Sequence, residues 1–162
     1  MSTTDDAHEI VPRIWLGNRH AALSDKWLAE KKIKVVFNAT KDIPFSVSIK
    51  KQYRIPVHDN LEASEIRNMT LWSHEIIYNL MKEYNAGNTI LVHCAAGMQR
   101  SAAIVAMFLI VHKDLNCNQA IQYIQNKRPI AFRPQTNFKE SIIGFEKSYH
   151  EEILPRVTRV QI

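Results

Sequence analysis

The sequence predicts a single α/β domain with a central, mostly parallel, twisted sheet flanked by helices. Three observations carry that expectation. Ile33 to Phe37 holds Val35-Val36-Phe37, too apolar for a sheet wetted on one face, and Thr89 to Val92 has the same buried-strand character. Ala102 to Val111 is apolar all round, as a helix enclosed in a core is. At 162 residues the chain has the length of about one domain.

Taken in order, residues 1–10 are expected to be a disordered lead, polar and acidic at the start and without the apolar stretch of a secretory leader. In Val11 to Asn18, Ile14 and Leu16 share one face of a short strand, and Gly17-Asn18 marks a turn. Ser24 is positioned to cap a helix over Asp25 to Lys32 that buries Trp27 and Leu28. The strand Ile33 to Phe37 ends in Asn38-Ala39-Thr40. Asn38 either props the loop after the neighbouring strand or serves its own turn.

Lys41 to Gln52 is polar and irregular, broken by Pro44. Tyr53, Ile55 and Val57 alternate with Arg54 and Pro56, which makes an edge strand, since proline donates nothing to a ladder. His58-Asp59-Asn60 follows, an acid in a loop beyond a strand end, where open sheets bind ligands. Glu62 to Tyr84 repeats apolar residues every three or four positions and predicts a long core-facing helix ended by Asn85-Ala86-Gly87-Asn88. After the apolar helix, Ala120, Ile121, Tyr123 and Ile124 mark another, closed by Lys127-Arg128-Pro129, with Cys117 structural near its start. Phe132 to Phe138 opens a last helix that carries Phe138, Ile142, Phe145, Tyr149 and Ile153 on one stripe. The domain is thus expected over residues 11–154, with 155–162 a short basic tail.

The chemistry concentrates between the buried strand and the apolar helix, in His93-Cys94-Ala95-Ala96-Gly97-Met98-Gln99-Arg100-Ser101. A tight strand-to-helix loop turns successive backbone N–H groups inward and aims a helix N-terminus at its centre, which makes an anion site. A cysteine at its mouth is expected to be a thiolate near neutral pH, because a helix N-terminus draws a thiol from about 8.5 to roughly 3.5–7.5. Arg100 closes the ring with a planar fork that grips two phosphate oxygens. Gly97 supplies the backbone freedom of the turn. Ser101 is placed to hydrogen-bond the sulfur and ease its departure in a two-step reaction.

His93-Cys94-x5-Arg100-Ser101 resembles the signature of cysteine-based protein phosphatases, and the flanking sequence resembles the small dual-specificity branch, including its poxvirus members. The resemblance covers nearly all of residues 11–154, including the Leu16-Gly17-Asn18 turn. It implies a metal-independent hydrolase with no cofactor. Cys94 attacks phosphorus, and Arg100 with the loop amides of Ala95, Ala96, Gly97, Met98 and Gln99 holds the non-bridging oxygens. Asp59 then acts as acid and later as base. His93, Asn38 and Gln135 are assigned to support of the loop. Gln135 stands where the family usually has asparagine, and Asn137 where it has glycine. Asp59 is preferred as the acid because Asp5, Asp6, Asp25 and Asp114 are poorly placed; Asp42 is its serious competitor, and Glu62 and Glu65 stand behind it.

Composition narrows the partners. A net charge of +5 suits anionic partners, and phosphorylated proteins are expected, with no nucleic acid and no membrane. Two cysteines without disulfide or zinc spacing indicate a reducing compartment, cytoplasm or nucleus. The seven histidines form no metal-binding motif. Phosphoinositide phosphatases of the superfamily carry lysines inside the loop, and its RNA 5′-phosphatases a threonine after the arginine; neither feature is present. A silent phosphoprotein-binding module requires the loss of Cys94, Arg100 or the acid, and a thiol-redox enzyme requires a resolving cysteine nearby.

Overall fold

Alternating strand and helix signals along the chain become a layered structure whose sheet delivers His93 and Cys94 to one edge. The computed structural model describes residues 5–156. Its strands are β1 (Ala7–Val11), β2 (Ile14–Gly17), β3 (Val35–Asn38), β4 (Lys51–Arg54) and β5 (Ile90–His93). Its helices are α1 (Arg19–Ala22), α2 (Asp25–Glu30), α3 (Ala63–Asn85), α4 (Arg100–His112), α5 (Cys117–Lys127) and α6 (Lys139–Ser148), the last running into a π-helical segment, Tyr149–Ile153. The sheet order is β1-β2-β5-β3-β4. β1 pairs antiparallel with β2, and every other pair is parallel.

The central strands are apolar on both faces because both faces are covered. Val35, Phe37, Ile90 and Val92 join the larger core with residues of α3, α4, α5 and α6. Val36 and Leu91, one residue out of phase, join Ala21, Trp27 and Leu28 on the opposite face. α4 lies at the centre of the larger layer, against β5, β2, α3, α5 and α6. Every residue from Ala102 to Ile110 is fully buried, which is why this segment has no polar face. Each large apolar side chain buried there contributes about 1.5–3 kcal/mol. This packing fixes the first turn of α4, and so Arg100 and Ser101, beneath the cleft.

Several boundaries differ from expectation, each for a physical reason. Of the lead expected to be disordered over 1–10, residues 1–4 lie outside the described residues, and from Ala7 onward the chain is instead the edge strand β1; Ala7, Ile10 and Val11 are buried, and its register sets Ala7 opposite Gly17. With so few apolar residues, its period was too short to stand out. β3 runs from Val35 to Asn38 rather than from Ile33. β4 is the edge strand expected but lies at Lys51–Arg54, so Pro56 falls outside the ladder. Gly17-Asn18 is more than a turn, because the Asn18 side chain accepts from the His20 and Ala21 N–H groups and starts α1. Ser24 caps α2 as expected, accepting from the Trp27 N–H at 3.1 Å. The last helix begins only at Lys139. Helical backbone continues through Arg156, past the expected end of the domain, and the rest of the tail, 157–162, lies outside the described residues.

Candidate active site

The loop from Cys94 to Gln99 is held from outside by its carbonyls. Arg19 N–H donates to the Ala95 oxygen at 3.1 Å, and Phe132 N–H donates to the Met98 oxygen at 2.8 Å. The fully buried Arg128 takes the two between, with Nη2 to Ala96 O at 3.1 Å and Nε to Gly97 O at 2.8 Å. Arg128 is itself anchored through Nη1 to Asp5 O at 3.0 Å and His8 Nδ1 at 2.8 Å. In a trans peptide the C=O and the following N–H point in opposite directions. Four successive carbonyls drawn outward therefore turn the N–H groups of Ala96, Gly97, Met98 and Gln99 inward, and the ring becomes an anion cradle. Gly97 has φ of +67°, and a side chain there would strike the Gly17 carbonyl.

Cys94 lies in this ring with Sγ 3.1 Å from Ser101 Oγ. Burial alone pushes its thiol up. The Ser101 hydroxyl and N–H, the Arg100 charge and the Gly97 N–H outweigh burial and bring it below its ordinary value. Cys117 moves the other way, raised by burial and by Glu146. Iodoacetamide at slightly acidic to neutral pH is therefore expected to alkylate Cys94 before Cys117, with the ratio narrowing as pH rises; peptide mapping after brief labelling measures it. Equal labelling would contradict the shift.

Arg100 donates from Nη1 to Val57 O at 3.0 Å. Its Nε is buried, and among the described residues no protein acceptor satisfies it, which suits an anionic oxygen. His93 is fully buried, and its Nδ1 donates to Cys94 O at 3.2 Å. Burial, with Arg54 and Arg100 nearby, brings the imidazole down to about 4 against the pull of that hydrogen bond, so the ring is neutral at physiological pH.

The acid loop meets the cleft from the other side. Asp59 and Asp42 both line a cleft of about 530 Å³ together with Cys94 and Arg100. Asp59 is distinguished by a bond: its Oδ1 accepts from Asn137 Nδ2 at 2.8 Å. Glu65 is buried and pairs with Lys41 at 2.7 Å, while its Oε1 also accepts from the His58 N–H at 3.3 Å. The Lys41 bond holds its carboxyl below the usual range, so it stays ionised and unsuited to give a proton. Glu65 instead ties the segment before Asp42 to the segment before Asp59.

Two expected supports act differently. The Asn38 side chain accepts from the Thr40 N–H at 3.1 Å and Thr40 Oγ1 at 2.6 Å and donates to Ile43 O at 2.8 Å, so it builds its own turn and the base of Asp42, not the Cys94 loop. Gln135 is exposed and contributes its main-chain oxygen, which accepts from Gln99 Nε2 at 2.7 Å. The bracing side chain is Gln99, which is 5% exposed and was expected to serve only through its amide. Arg128 and Asn137 also escaped sequence reasoning as site residues. Their one signal was position: Arg128 closes α5, and Asn137 stands where the family usually has glycine.

The fold and the ring define an α/β domain of the cysteine-signature type, in which the strand-to-helix loop turns its N–H groups toward Cys94. The family model for dual specificity phosphatase, catalytic domain, matches residues 14–148, and the chain belongs to that family. It is 30% identical over 139 residues to dual specificity protein phosphatase 4 of Homo sapiens, covering 85% of this chain and 34% of that protein. It is 29% identical over 147 residues to tyrosine-protein phosphatase vhp-1 of Caenorhabditis elegans, covering 89% and 22%. The chain spans about a third or less of the length of these curated relatives. The fold is similar to the crystal structure of DUSP15, with a TM-score of 0.80 and 24% identity over 96% of each chain. That of human DUSP28 gives 0.78 and 22% over 90% of this chain and 95% of the other.

Proposed function

We propose that the protein hydrolyses phosphotyrosine and phosphoserine/threonine in protein substrates through a phosphocysteine intermediate. The observation that carries this reading is a Cys94 thiol held low inside a ring of inward N–H groups, beside the unsatisfied Arg100 Nε. Cys94 attacks phosphorus as the bond to the substrate oxygen breaks, and Asp59 protonates that oxygen. Arg100 and the loop amides hold the three non-bridging oxygens while charge builds on them. Water, deprotonated by the Asp59 carboxylate, then attacks phosphorus, and the sulfur leaves with a hydrogen bond from Ser101. His93 steadies the ring through the Cys94 carbonyl. A reducing compartment, cytoplasm or nucleus, belongs to the proposal because the sulfur acts as a thiolate.

Dual specificity is supported by the cleft walls. No Phe, Tyr or Trp is among the described residues that line them, so nothing there forms a deep slot for a tyrosine ring. A second reading, phosphoinositide hydrolysis, draws support from Arg19 and Arg133 at the same cleft, where cations meet further phosphates. Phosphotyrosine peptides, phosphothreonine peptides and phosphoinositide vesicles, each assayed with excess chelator, separate the readings. Both peptides are expected to turn over, phosphotyrosine faster because phenolate leaves more readily, and vanadate is expected to stop both. Turnover of the lipid alone would favour the second reading, and dependence on added metal would overturn the mechanism.

A further inference from the structure

We propose that Asn137 is the positioning residue for the acid, holding Asp59 ready to give its proton, and that Gln99 couples it to the phosphate-binding loop. The inference rests on the reading of Asp59 as general acid. Asp59 is exposed, in a loop between β4 and α3, where a free carboxylate would sample several rotamers. Its Oδ1 is instead bound by Asn137 Nδ2 at 2.8 Å. Asn137 is placed in turn by Gln99, whose Oε1 accepts from the Asn137 N–H at 2.9 Å. Gln99 Nε2 donates to Gln135 O at 2.7 Å and Arg133 O at 3.2 Å. One buried side chain next to Arg100 thus grips three main-chain groups of the 133–137 segment. The side chain of the last residue in that grip, Asn137, then reaches the acid itself.

The chemistry follows from donor and acceptor roles. The Asn137 amide only donates toward Asp59, so Oδ1 must remain an acceptor and the acid proton resides on Oδ2. After that proton passes to the departing substrate oxygen, Oδ1 keeps the same bond and Oδ2 is free to accept from water. The carboxyl changes protonation state without losing its orientation. Asn137 lines the same cleft, but its side-chain bond is to the acid, so its effect runs through Asp59.

The test is a series of aryl and alkyl phosphates of decreasing leaving-group ability, assayed on wild type, Asp59→Asn, Asn137→Ala and Asn137→Asp, with melting temperatures alongside. Asn137→Asp keeps the shape and replaces the donor with an acceptor. Both Asn137 variants are expected to lose little in kcat/KM on the best leaving group and about 10–100-fold in kcat/KM on alkyl phosphates, parallel to a larger trend in Asp59→Asn. A uniform loss across the series, or none, with the trend intact in Asp59→Asn would overturn the proposal. Absence of the trend in Asp59→Asn itself would overturn the assignment of the acid, and the proposal with it.

Discussion

Cys94→Ser is expected to abolish turnover, by on the order of 10⁵–10⁶-fold, while leaving the protein folded and able to bind phosphopeptide. The serine hydroxyl does not ionise near neutral pH, so the attacking atom loses its charge. The ring does not depend on that sulfur, because its carbonyls are drawn outward by Arg19, Arg128 and Phe132. Removing a thiolate beside a phosphate dianion also removes a repulsion, so affinity holds or rises. Single-turnover kinetics with phosphopeptide titration checks both halves. Unchanged kcat would refute the role, and lost binding would mean that the sulfur organises the ring.

Arg100→Lys is expected to lower kcat/KM by about 10³–10⁵-fold, the range an arginine contributes when it contacts a transferring phosphoryl group. Lysine keeps the charge but not the planar fork, so both the bond to Val57 O and the buried Nε are lost. Because the charge remains near Cys94, alkylation of that thiol is expected to change far less than turnover does. This split separates holding the phosphate from lowering the thiol. Near-normal kcat and KM would show that Arg100 is not the clamp.

What was legible in the sequence is what local pattern controls. β5 and α4 stood out because a segment buried on every side shows no polar phase, and they carried Cys94, Arg100 and Ser101 with them. The resemblance drawn from those residues agrees with the family match over 14–148. Ser24 was readable because its cap is completed within three residues. The supports were not readable in this way. Arg128 reaches carbonyls 31 and 32 positions earlier, and Asn137 meets Asp59 across 78. Neither spacing leaves a periodic trace. Asn38 misled because a polar residue at a strand end has two nearby tasks, and its own turn offered three closer partners. Gln135 carried the family position, while the bracing amide belongs to Gln99.

The proposed catalysis rests on covalent transfer of the phosphoryl group to one sulfur. Rapid denaturing quench during turnover of an aryl phosphate, followed by mass spectrometry of the peptides, measures that directly. One phosphoryl group on Cys94 is expected, together with a burst of released phenol that matches the enzyme concentration wherever breakdown of the intermediate is slow, and neither in Cys94→Ser. Sustained wild-type turnover with Cys94 never phosphorylated, or with the phosphoryl group on another residue, would contradict it.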